Sequence, residues 1–255
     1  MSITTKYPLV LTIACVSLIG GFSGCSPVGA ENSRSLTVTW TPEFSMPALL
    51  AEPVTLKTRQ DLQSLLSQNW YAAIDVQTTG DSKPLSLNSC NEYFANNAHS
   101  LHSLREHESS AFVELQVMCE ATRLLANAKM AHRSYLPDSL LNPGLPRRLP
   151  KAVAFVTSET ESERMQQDEA KQFWSDVNTI TRTIKVSENE MEFHSDAGRQ
   201  TLSVIGQGDM NGDGVQDVLL SSRDSVVGGS YANMRLFILT VNEEDRWELI
   251  DQYLK

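Results

Sequence analysis

The stretch Gly208-Asp209-Met210-Asn211-Gly212-Asp213-Gly214-Val215-Gln216-Asp217 sets an oxygen-bearing side chain at every second position and runs straight into Val218-Leu219-Leu220. Three carboxylates within nine residues repel one another, so a loop of this kind gains most when a cation offsets the repulsion. Ca2+ takes roughly six to eight oxygens at about 2.3–2.6 Å, and a short segment supplies them only by folding back on itself. Asp209, Asn211 and Asp213 fall at positions one, three and five, and Gly214 at six permits a turn that a Cβ would obstruct. Val215 at seven can offer its carbonyl and Asp217 closes the loop at nine. The expected metal ligands are therefore Asp209, Asn211, Asp213, Val215 and Asp217, with Ca2+ as a structural cofactor. Position twelve, where a helix-loop-helix hand needs a bidentate Glu, is Leu220 inside an apolar run, which rules out that architecture.

The pattern D-x-N-x-D-G-x-x-D across residues 208–220 resembles the loops of FG-GAP, integrin-type repeats. That resemblance implies an ion seated between two β-strands, with side-chain ligands at Asp209, Asn211, Asp213 and Asp217 and the Val215 carbonyl as a further donor. No second copy of the loop occurs in the chain, which counts against the repeated propeller of that family.

The N-terminus constrains the compartment. Lys6 precedes a nearly uncharged apolar run over residues 8–22, and Phe22-Ser23-Gly24-Cys25 follows. A run this short with small residues at its end reads as an export signal rather than a membrane span. Small residues directly before a cysteine resemble a bacterial lipobox, which implies cleavage after residue 24, lipidation of Cys25 and anchoring to a membrane through that lipid. Ser26 after the cysteine, by analogy with Gram-negative sorting, points to the outer membrane. A rival cleavage after Val28-Gly29-Ala30 would leave a soluble periplasmic or secreted protein. Either cut leaves Cys90 and Cys119 as an even pair, and in an oxidising envelope such a pair is expected to form a disulfide. The net charge of -10, with no Lys/Arg stripe, excludes a phosphate-binding nucleic-acid protein.

Along the chain the pattern divides. Residues 25–54 read as a polar tether with a short strand at 35–40. Residues 55–150 read as α-rich: Leu62, Leu65, Leu66 and Trp70 mark a short amphipathic helix over 57–69, and residues 87–132 lack Pro and Gly and carry helical stripes. A break near 107–110 would make a helical hairpin that brings Cys90 level with Cys119. Four prolines between 137 and 150 separate this half from residues 151–255. There a strand is expected over 151–157, a helix over 159–177, and then period-two segments at 181–186, 190–194, 201–206, 215–221, 234–241 and 247–253. The expected fold class is α+β: a helical N-terminal half packed with a C-terminal antiparallel meander that carries the calcium hairpin.

Catalytic signatures are sparse. His99, His102 and His107 do not share one helix face, and no second motif completes a zinc set. There is no G-x-S-x-G and no H-E-x-x-H, and Gly80-Asp81-Ser82 leads into Lys83-Pro84 rather than an apolar residue. Glu159, Glu161 and Glu163 suit a solvated helix start, and Tyr231 beside Gly228-Gly229-Ser230 suits a hairpin loop. The resulting expectation is a non-enzymatic, lipid-anchored envelope protein that binds or scaffolds an envelope protein or glycan. The rival class is an envelope hydrolase acting on glycan or peptidoglycan, whose mark would be a pocket holding two carboxylates about 5–9.5 Å apart.

Overall fold

Val218-Leu219-Leu220 and Leu236-Phe237-Ile238-Leu239 do not alternate apolar with polar residues, so the strands that carry them need cover on both faces. The computed structural model describes residues 35–79, 83–96, 100–229 and 231–253, and it supplies that cover. These residues fall in one compact unit, Ser33–Lys255. The other unit, Met1–Asn32, lies outside the described residues, as do the export signal and Cys25.

The centre is an antiparallel meander of six consecutive strands: β5 (Ile180–Lys185), β6 (Glu190–Ser195), β7 (Arg199–Gly208), β8 (Asp217–Ser225), β9 (Ala232–Val241) and β10 (Trp247–Tyr253). A short strand β1 (Thr39–Trp40) joins it by pairing with β7 at Gln207 and Gly206. The β7 strand has a bulge between Val204 and Gly206. A Cβ on Gly206 would lie 2.5 Å from the Thr39 carbonyl oxygen and 2.7 Å from Leu125, so the close approach of β1 and the helix above it requires glycine there.

One face of the sheet, through Ile205, Leu219, Leu236 and Ile238, packs into a core with α3 (Ser109–Asn127). The same core takes in α1 (Arg59–Leu65), α2 (Cys90–Ala95) and a three-stranded antiparallel sheet in which β2 (Ile74–Thr78) lies between β3 (Leu85–Leu87) and β4 (Leu101–Ser103). The opposite face, through Leu202, Val204, Val218, Leu220, Phe237 and Leu239, is covered by residues 141–156, Met165 of α4 (Glu159–Gln167) and Trp174. Among the described residues no helix is long and apolar enough to cross a membrane.

The expected fold class is overturned in its N-terminal half. Among the described residues ten strands and four α-helices make a mainly antiparallel β structure, and the helical hairpin does not form. Helix α2 ends after six residues at Asn96, and the chain returns as β4, pairing Leu101 and Ser103 with β2. Absence of Pro and Gly over 87–132 permitted helix without requiring it, and β2 offered an unpaired edge whose hydrogen bonds outweighed a weak local preference. Among the described residues only α3, nineteen residues long, is an extended helix, and it is buried on nearly every side. Cys90 on α2 and Cys119 on α3 are joined by a disulfide with 5.4 Å between their Cα atoms.

The expected strand at 151–157 is also absent. A 3-10 turn occupies Lys151–Val153, and the polar groups beyond it are met by side chains instead of a ladder. Gln200 Nε2 donates to the Val153 carbonyl at 2.8 Å, Arg235 donates to the carbonyls of Ala152, Val153 and Ala154, and the Asn178 amide pairs with both the N–H and the C=O of Phe155. The helix expected over 159–177 is cut to α4 and a 3-10 turn at Trp174–Asp176.

Candidate functional site

The acidic loop joins β7 to β8 and is fastened to the segment that leaves α3. Asp209 and Lys129 exchange both backbone hydrogen bonds, at 3.0 and 2.7 Å. The Gly214 carbonyl accepts from the N–H groups of His132 and Arg133, and Gln216 N–H donates to the Arg133 carbonyl at 2.8 Å. Gly212 and Gly214 take left-handed conformations, φ 87° and 84°, which a side chain would strain.

Inside the turn the oxygen groups organise the backbone. Asp209 accepts from Gly212 N–H at 2.6 Å and from Gly214 N–H at 3.0 Å. Asn211 Oδ1 accepts from Asp213 N–H at 3.0 Å, its amide nitrogen donates to Asp213 Oδ2 at 2.8 Å, and Asp213 Oδ1 accepts from Val215 N–H at 2.7 Å. Asp217 reaches back across the loop, its Oδ2 accepting from Met210 N–H at 2.8 Å. All five expected ligand residues thus lie in one hairpin turn, but they are turned largely onto the loop's own amides.

Two of the carboxylates are buried, Asp209 at 3% exposure and Asp217 at 0%. Neither Asp217 Oδ1 nor the hydroxyl of Thr240 on the neighbouring strand makes a hydrogen bond of ordinary geometry, but the hydroxyl lies close enough to the carboxylate to favour its ionised form. Burial, aided by the charges of Asp213 and Asp209, pushes the Asp217 carboxyl up to about 6, against the pull of the Met210 N–H and the Thr240 hydroxyl. The Lys129 ammonium hangs over the turn, 3.0 Å from where a Gly212 Cβ would stand, without an ion pair to any of the three carboxylates. Among the described residues no three His, Cys, Asp or Glu side chains are gathered as a group that could hold a metal ion. Asp209, Asp213 and Asp217 are thus not drawn together onto one point; the Asn211 side chain and the Val215 carbonyl are further oxygens of the kind a hard cation takes. A buried carboxylate oxygen without a hydrogen bond of ordinary geometry, two left-handed glycines and a donor set made only of oxygens fit Ca2+ by their chemistry.

The other residues singled out from the sequence do not form a site. His99 and residues 80–82 lie outside the described residues. His102 sits on β4 and His107 in a 3-10 turn with its side chain 78% exposed. Glu161 accepts from Thr157 N–H at 2.9 Å and so closes the start of α4. Tyr231 packs edge-on to Phe155 and donates to the Val156 carbonyl, which makes it a plug for the irregular segment.

One polar cleft carries several carboxylates. The sheet face that α3 covers turns polar toward β6, and a cavity of about 470 Å3 opens there beside Glu43, Glu114, Glu190 and Glu192. Glu114 pairs with Arg223 at 2.9 Å, Glu190 accepts from the Ser203 hydroxyl, and Glu192 lies 3.1 Å from His194. Burial raises the Glu43 carboxyl, but hydrogen bonds led by the Ser187 hydroxyl outweigh it and hold the group below its usual range. A general acid needs the reverse. Sequence reasoning missed this cleft and the buried ion pair of Asp224 and Arg235. For that pair a signal existed, since Arg235 interrupts an apolar run at a core-facing position. Comparison with protein-family models, with curated proteins and with solved structures found no match.

Proposed function

We propose that this chain is an exported cell-envelope protein, held at a membrane by a lipid on Cys25, that serves as a non-enzymatic binding or scaffold module with one structural Ca2+. The observation that carries the metal reading is Asp217: a fully buried carboxylate whose Oδ1 makes no hydrogen bond of ordinary geometry and has the Thr240 hydroxyl beside it, facing the charges of Asp209 and Asp213 in a turn with two left-handed glycines. Asp209, Asn211, Asp213 and Asp217, with the Val215 carbonyl, would hold the ion, which resembles the FG-GAP arrangement. Bound there, the ion would neutralise the three carboxylates and lock the β7–β8 hairpin to residues 129–133. Its role is to hold structure: the cavity of about 380 Å3 that reaches the loop at Gln216 is lined by none of the five expected ligands.

The test is calorimetric melting of the chain without its export signal, in calcium and in chelator. Calcium at about a hundred times its dissociation constant adds about 2.7 kcal/mol, a rise of roughly 5–10 °C in the midpoint for a domain of this size. Asp213→Ala abolishes that rise. An unchanged midpoint in chelator removes the ion from the account. The rival reading, a glycan hydrolase, draws on the cleft beside Glu190 and Glu192, but its carboxylates are engaged by Ser203, His194 and Arg223 or held at low pKa. Release of reducing ends from peptidoglycan, lost on Glu190→Gln, would favour it.

A further inference from the structure

Strand β5 is the last strand of the large sheet, and among the described residues no strand pairs with its outer side. Natural proteins cover, shorten or interrupt such edges, because the unpaired N–H and C=O groups template further pairing. Six residues long, β5 has no proline, and four of its residues, Ile180, Thr181, Thr183 and Ile184, are β-branched, which suits the extended backbone that its pairing with β6 holds. A groove of about 640 Å3 runs along it, lined by the unbroken stretch from Asn178 to Thr183 on one side and by Pro143, Gly144, Pro146 and Arg147 on the other. A lining of consecutive residues means that the groove follows the main chain of the edge.

The charge of this groove opposes that of the molecule. The chain has 31 acidic and 21 basic residues, yet no Asp or Glu lines the groove, while Arg147 and Arg182 both do. Both guanidinium groups are exposed, and neither has an ion-pair or hydrogen-bond partner among the described residues, whereas Arg148, next along the chain, is paired with Asp245 at 2.6 Å. We propose that an extended acidic segment of a partner protein adds as a strand to the outer edge of β5, with carboxylates at alternate positions reaching Arg147 and Arg182. Strand addition satisfies the open backbone groups, and alternate side chains of the incoming strand point to one side, as the two arginines require. A second copy of this chain does not suit the edge, since an antiparallel β5–β5 contact would bring Arg182 and Lys185 of both copies together. A free phosphate would meet the arginines and leave the edge unpaired. The proposal rests on neither the calcium ion nor the lipid anchor.

The experiment is isothermal titration of the disulfide-intact chain, without its export signal, with acetylated and amidated heptapeptides. One alternates Val and Glu, one alternates Val and Lys, and one is the Val/Glu peptide with alternate amides N-methylated. The Val/Glu peptide binds, the Val/Lys peptide does not, N-methylation weakens binding by about tenfold or more, and raising salt from about 50 to about 300 mM weakens it further. Arg147→Glu with Arg182→Glu abolishes binding of the Val/Glu peptide and creates binding of the Val/Lys peptide, a rescue that an unfolded variant cannot give. Failure of the Val/Glu peptide to bind overturns the proposal. So does equal binding of the N-methylated peptide with full competition by inorganic phosphate, which would mark an anion site without strand addition.

Discussion

Asp224 on β8 and Arg235 on β9 lie on the same face of the sheet, 0% and 3% exposed, joined through Asp224 Oδ2 at 2.8 and 3.1 Å. Burial holds the Asp224 carboxyl above its ordinary range even with the guanidinium beside it. The guanidinium gains more than the ion pair, because it also donates to the carbonyls of Ala152, Val153 and Ala154 and so fixes a segment that has no ladder of its own. Asp224→Ala leaves that charge buried without its counterion and lowers stability by about 3–5 kcal/mol, read as a fall in the urea midpoint at unchanged slope. Replacing both partners together, Asp224→Leu with Arg235→Met, costs less than the single change in the same measurement, since no buried charge then remains.

Two elements carry predictions of their own. Helix α1 starts where Asp61 Oδ2 accepts the N–H groups of Lys57 and Thr58, at 2.9 and 2.8 Å, and these bonds, that from Lys57 first, hold its carboxyl below the usual range. A lowered carboxylate pKa places its stabilisation above the unfolded value near pH 4 and removes it as pH falls through the folded value. The protection factors of amides in the first turn of α1, taken against the intrinsic exchange rate at each pH, therefore fall on acidification below about pH 4, and in Asp61→Asn that acid response is lost. The disulfide is the second case. It closes a loop across a sequence separation of 29 residues and stabilises by about 3–4 kcal/mol in the chain-entropy model. Cys90→Ser with Cys119→Ser should melt roughly 7–15 °C lower, and reductant should move the parent protein but not the variant.

At the scale of the whole molecule, one sheet separates two apolar cores, and both depend on residues far away in sequence. Membrane attachment belongs to this scale as well, and it is a proposal about Cys25 alone. Cys25→Ser in the full chain should shift the protein from the detergent phase to the aqueous phase on phase separation, with no change in melting of the domain, because one acyl-bearing residue supplies the hydrophobic anchor.

The six C-terminal strands were readable because each carries a period-two or continuous apolar run bounded by Gly, Asn or Asp, and these signals are local. So were the turn glycines 212 and 214 and the even cysteine pair. Residues 101–103 and 151–157 were not readable. The first became strand because β2 had an edge to offer, and the second stayed irregular because Arg235, Gln200 and Asn178 took its hydrogen bonds. Local periodicity and turn chemistry specify which segments extend and where they reverse. Which partner satisfies a given backbone group depends on what folding brings within about 3 Å of it, and only the tertiary structure decides that.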